Sequence, residues 1–220
     1  MSQRTVFEQE LSQLKYSVRE MSERAEISYD RLMIAAAENQ RAVLEELLNV
    51  DREFLEMQRR IEAMCLKLLT KQQPLATDLR VVSAALKVVT DVERIGDHVT
   101  DMAELFLRLE PPFTPQRRKL LQLMMENARE MVHEAVEAFV SGNGTLAQKV
   151  IAQDDIVDDY FNQVKECMME GIRTQKLGAD EIVDVLLLAK YVEKIADHAV
   201  NICDWAIFQQ TGNMQDKRLL

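Results

Sequence analysis

Apolar residues recur three and four positions apart along most of the chain, in six segments near residues 4–38, 41–71, 75–109, 115–141, 145–174 and 179–210. That spacing predicts amphipathic helices, each with one face to bury. Ser141-Gly142-Asn143-Gly144 is the clearest interruption, and Pro74 breaks the pattern between the second and third segments. Pro111-Pro112 and Pro115 part the third segment from the fourth, with Pro115 suited to a first helical turn, where its missing N–H is not needed. The stretch from Glu38 to Arg41 has no glycine, so the boundary between the first two segments rests on analogy with the break at 141–144.

The pattern occurs twice. Val92-Glu93-Arg94-Ile95-Gly96-Asp97-His98 returns as Val192-Glu193-Lys194-Ile195-Ala196-Asp197-His198, 100 positions later (92 to 192). Upstream the displacement is 103, pairing Asp51 with Asp154, Phe54 with Val157, Ile61 with Val164, Met21 with Met124 and Ala25 with Ala128. The three-residue difference belongs to one connection, placed around Gln72 to Thr77. The expected fold is all-α: a tandem duplication of an antiparallel three-helix bundle, with repeats at 1–110 and 111–220, packed as one elongated molecule.

Composition supports long helices with few turns, because 47% of the 220 residues are hydrophobic while only 6 are Gly and 4 are Pro. No window holds the run of roughly 18 apolar residues that a membrane span needs, and Met1 to Leu14 lacks the order of a signal peptide. A cytoplasmic protein with no direct membrane insertion is expected. Cys65, Cys167 and Cys203 have no ligand spacing and sit among apolar neighbours, so they read as reduced core residues. The net charge of −10, from 37 acidic against 27 basic residues, argues against nucleic acid as a partner.

The acidic residues are not scattered. At about 100° per residue, Val88, Val92, Ile95 and Val99 define a buried face on the third segment, while Glu93, Asp97, Asp101 and Glu104 fall in a separate arc. The sixth segment repeats this, with Val192, Ile195 and Ala199 inward and Glu193, Asp197, Asn201 and Asp204 along the stripe. Like charges one turn apart repel, so something should compensate them. One account is an ordinary solvated face screened by Arg94, Lys194 and salt. The other is a set of oxygen ligands for a hard or borderline cation such as Fe, Mn, Mg or Zn, completed from the second helix of each repeat. Asp154 and Asp158 supply such a pair, whereas the first copy has Asp51 but Leu55, so its site should bind fewer ions or bind them more weakly. His98 and His198 follow the stripe aspartates and read as residues at the edge of the core. Glu130-Met131-Val132-His133 is a single ExxH, whereas a di-iron bundle needs two. No phosphate loop, GxSxG or HExxH is present, so a non-enzymatic role is expected. Metal buffering, metal-dependent hydrolysis and a plain ion-free bundle are the other readings of the same carboxylates.

The two VERIGDH-like segments, together with Gln73-Pro74-Leu75-Ala76-Thr77-Asp78-Leu79-Arg80, resemble the signature of the PhoU family over nearly the whole chain, from about Phe7 to Phe208. The resemblance implies two three-helix bundles with surface metal clusters. Carried onto this sequence, its acidic pairs are Glu93 with Asp97, Glu193 with Asp197, and Asp154 with Asp158, whereas Leu55 and Asn201 depart from full carboxylate sets. It further implies a homodimeric negative regulator of phosphate uptake, acting as an adaptor between the ATPase of the phosphate ABC transporter and a sensor histidine kinase.

Overall fold

The protein is described by a computed structural model covering residues 3–72, 76–109, 115–214 and 217–218. The breaks expected at Pro74 and Pro111-Pro112 lie outside the described residues, as do Gln73, Pro74 and Leu75 of the segment resembling the family signature. The first bundle comprises α1 (Gln3–Glu38), α2 (Arg41–Leu47), α3 (Val50–Gln72) and α4 (Ala76–Arg108). The second comprises α5 (Pro115–Ser141), α6 (Gly144–Arg173) and α7 (Ala179–Thr211). A two-residue antiparallel pair, β1 (Asn213–Met214) with β2 (Lys217–Arg218), follows α7.

The turn between the first two rods is built alike in both repeats, although only one carries glycine. Gly142 takes φ 69° and its counterpart Asn39 takes φ 55°. Asn143 N–H then donates to Ala138 O, and Gln40 N–H to Ala35 O, each at 2.8 Å. This is a helix stop closed by a left-handed residue, a conformation that asparagine tolerates better than other side chains do.

The expected single helix over 41–71 is instead broken, because Leu48 and Asn49 form a turn between α2 and α3. Leu48 N–H bonds back to Glu45 O, three residues away, rather than four. At the matching place in α6 stands Ala152, the best helix former, whereas the Asn49 side chain competes with the backbone and favours a turn. The remaining boundaries fall within a few residues of expectation.

The apolar faces read from the sequence are buried as expected: Val88, Val92, Ile95 and Val99 on α4, and Val192, Ile195 and Ala199 on α7. One continuous cluster of buried residues runs through both bundles. The bundles meet across an approximate twofold axis. Along its seam α4 and α7 run antiparallel, with Asp91 against His198, Tyr191 against His98, and Arg80 donating to Gln209 O. On the other side α1 and α5 run antiparallel: Arg129 pairs with Asp30, His133 with Glu26, and Tyr29 Oη donates to Met125 O at 3.2 Å.

All three cysteines are free thiols, and Cys65 and Cys203 are wholly buried, which pushes each thiol up to about 12. Cys167 is half-buried on α6. In native buffer at pH 8 a disulfide reagent is expected to modify Cys167 first and to reach Cys65 and Cys203 only after denaturation. Three thiols titrating together in the native protein would contradict that order.

Candidate functional site

Once the apolar face of α7 is turned inward, the helical pitch places Glu193 and Asp197 on its flank. The flank of α6 that meets it carries Asp154 and Asp158. The register is fixed by Phe161, whose ring lies under Lys190 with Nζ 5.6 Å from the centroid. Desolvation pushes the Asp154 carboxyl up to about 6, reinforced by the negative charges of Asp158, Asp197, Asp155 and Glu193. Asp158 is raised by desolvation and by Glu193 and Asp197, with Lys190 opposing. Four of the expected site residues, Asp154, Asp158, Glu193 and Asp197, thus share one electrostatic neighbourhood. Lys190 pairs with Glu193, and Lys194 with Asp197.

The first bundle repeats the layout with less charge. Glu93 is only 8% exposed, not on an open stripe, because α3 covers that flank of α4. Burial raises its carboxyl, with Asp97 and Glu62 adding to the effect and Arg94 opposing it. Asp97 is likewise raised by desolvation against the pull of Arg94, whose Nη1 donates to Asp97 Oδ2 at 2.9 Å. Leu55 replaces Asp158, and Gln58 donates to Thr90 where the second bundle has Phe161 beneath Lys190. Asp51 is half-buried on α3, with no hydrogen bond or ion pair to Glu93 or Asp97 among the described residues. Glu62 escaped the sequence reading because its counterpart is Lys165, so duplication gave no signal. Its spacing of three turns from Asp51 was the available clue.

Asp101 faces elsewhere. Its carboxylate lies 3.6 Å from His98 Nδ1 at the seam, too far for a hydrogen bond, and that buried nitrogen has no partner. The His98 ring stands 5.3 Å from Tyr191 and 5.6 Å from His198. Desolvation and the neighbouring His198 hold its imidazole below the usual range. His198 Nδ1 is 2.9 Å from Asp91 Oδ1, which also accepts from Asn201 at 3.2 Å. Both histidines therefore join the bundles, as residues at the edge of the core should. Asp91 was missed because this contact exists only once α4 and α7 pair.

As the side chains stand, no three His, Cys, Asp or Glu among the described residues converge as a ready-made metal cage. The donor chemistry is nevertheless that of a hard-cation site: carboxylate oxygens from two helices, with the α6 pair Asp154 and Asp158 raised by their acidic neighbours and two lysines as the nearby counter-charge. No described helix is long and apolar enough to cross a membrane.

The PhoU domain family model matches residues 18–106 and 121–206. The chain is 30% identical over 207 residues to the phosphate-specific transport system accessory protein PhoU homolog of Aquifex aeolicus, covering 93% of each chain. It is 29% identical over 214 residues to the homolog of that name from Clostridium acetobutylicum, covering 97% of this chain and 98% of the relative. Its fold superposes with a TM-score of 0.89 on the crystal structure of the phosphate transport system regulatory protein PhoU from Streptococcus pneumoniae, at 24% identity over 96% of this chain and 99% of that one. The PhoU of Pseudomonas aeruginosa gives 0.88, also at 24% identity, over 94% and 100%. With both repeats matched in tandem and relatives aligned end to end, the chain belongs to the PhoU family.

Proposed function

We propose that this chain is a cytoplasmic, homodimeric accessory protein of a phosphate-specific transport system that gathers cations on its acidic flanks. As an adaptor it meets the transporter ATPase and a sensor histidine kinase, holding the phosphate-starvation response off when phosphate is plentiful. Family membership supports the transport connection. The observation that carries the cation reading is the four-carboxylate neighbourhood of Asp154, Asp158, Glu193 and Asp197, in which Asp154 is pushed up to about 6. A divalent or trivalent ion such as Fe, Zn, Mn or Mg would be held by these oxygens and would neutralise their repulsion. The first bundle would hold ions more weakly, because Leu55 removes one ligand.

The test uses a substitution that the first repeat already carries. Asp158→Leu should leave helix content unchanged, lower the metal found by elemental analysis of protein purified without chelator by at least half, and derepress a phosphate-response reporter in phosphate-rich medium. Wild-type protein free of metal in that preparation would sink the cation reading. Metal loss with repression intact would remove the metal from the regulatory role.

A further inference from the structure

Beyond the carboxylates, the α6–α7 hairpin exposes large apolar side chains toward its tip: Met169 at 42%, Ile172 at 57%, Val183 at 54% and Leu187 at 41%. At about 100° per residue, Asp154, Asp158, Met169 and Ile172 share an arc of roughly 60° on α6. Glu193, Asp197, Val183 and Leu187 share roughly 120° on α7. The two arcs adjoin, since α6 and α7 run antiparallel with Phe161 under Lys190 and Leu177 packed against Gly171. One continuous face results, acidic in its middle and apolar at its tip, about 27 Å long from Asp154 to Ile172.

The first repeat keeps only part of this face, with Leu66, 57% exposed, and half-buried Leu69 at the positions matching Met169 and Ile172. Positions matching Val183 and Leu187 hold Ser83 and Lys87, and the position matching Asp158 holds Leu55. The first repeat folds with Ser83 and Lys87 at these places, so the α7 half of the apolar tip is not a requirement of the fold. These four exposed apolar residues lie on two adjoining arcs near one hairpin tip, unlike the scattered exposed residues that need no explanation.

We propose that the α6–α7 face receives an amphipathic helix from a partner protein, with the helix's apolar residues on Met169, Ile172, Val183 and Leu187 and its Lys or Arg residues along Asp154, Asp158 and Asp197. Charge selects this occupant. Beside the apolar tip Glu166, Glu170, Asp180, Glu181 and Asp184 outnumber Lys165, Arg173 and Lys176, so an anionic lipid surface would be repelled and a basic segment attracted. A face of about 27 Å matches a helix of about 18 residues, and an apolar stripe laid in a groove between helices is an established recognition mode. The inference deepens the adaptor reading and rests on it for the existence of a partner, and the helix's basic residues compete with the cation for Asp154, Asp158 and Asp197.

The test measures binding of a fluorescent synthetic helix of about 18 residues, with leucines at three- and four-residue spacing in one half and lysines in the other, by anisotropy in EDTA. Working in EDTA keeps the result separate from the cation question. Val183→Ser/Leu187→Lys and Asp158→Leu each install first-repeat residues, so both variants should fold, as circular dichroism will show. Each should weaken binding at least tenfold, and the wild-type Kd should rise with NaCl. Equal binding by the apolar-tip variant, or by a control peptide with glutamates in place of lysines, would overturn the proposal. So would sedimentation showing that wild-type protein self-associates while the apolar-tip variant is monomeric, since the occupant would then be a second copy of this chain.

Discussion

Gly96→Ala is expected to lower the thermal unfolding midpoint by about 4–8 °C, although alanine is the better helix former. A Cβ at Gly96 would lie 2.3 Å from Phe54 Cδ2 and 2.6 Å from Cγ, and Phe54 is fully buried and cannot swing away. Overpacking of this kind costs about 1–3 kcal/mol, which outweighs the gain of up to about 1 kcal/mol in helix propensity. The second repeat has solved the same contact in the opposite way, with Ala196 on α7 and Val157 on α6. Phe54→Val alone should therefore leave a cavity and cost about 2–3 kcal/mol. Adding Gly96→Ala to it should cost nothing further and should recover part of the loss. A double-mutant cycle by chemical denaturation measures the coupling, expected near 2 kcal/mol. Strict additivity of the two changes would show that they do not share one packing site.

The second large effect concerns protons and cations at Asp154. Its folded-state value is raised, so the folded chain binds a proton more tightly than the unfolded chain does. The resulting stabilisation is present in full below the ordinary aspartate range near pH 4 and is lost as pH rises through about 6. Asp154 is half-buried, so screening by solvent reduces the effect to about 1 kcal/mol. Metal-free protein should thus lose about 2–4 °C between pH 4 and pH 7 from this group, and Asp154→Asn should flatten that part of the profile. At pH 7 a cation bound as proposed by Asp154, Asp158, Glu193 and Asp197 should reverse the loss. At a free concentration about 100 times its Kd it should add roughly 2.7 kcal/mol, or about 5–10 °C. Calorimetry with Mn2+ against EDTA reads both halves. An Asp154→Asn/Asp158→Leu variant stabilised as much by Mn2+ as the wild type would place the ion elsewhere.

What the sequence made legible follows from what helical periodicity encodes. The inward faces of α4 and α7 could be read because burial of Val92 and Ile95 repeats with the pitch of the helix. Duplication did the rest, locating the Glu193–Asp197 flank and supplying a boundary at Asn39 that no glycine marked. The break at Asn49 was less visible, because it depends on the difference between Asn49 and Ala152 rather than on any apolar pattern. Contacts between bundles were hidden altogether. Asp101 read as part of an acidic stripe, yet it turns toward His98, because the α4–α7 seam decides which residues meet. Glu93 read as exposed and is buried for the related reason that the approach of α3 is not written in α4.

The polar pairs between α1 and α5 are matched across the two halves. About the twofold axis Glu26 corresponds to Arg129 and Asp30 to His133, and the contacts formed are Glu26 with His133 and Asp30 with Arg129. Two copies of the first half docked in this arrangement would bring Glu26 against Asp30, acid on acid, and two copies of the second half would bring Arg129 against His133. At these positions each half has become the other's complement rather than its own. The single polypeptide resembles a heterodimer with its subunits fused, free to let one half specialise while the other keeps the scaffold.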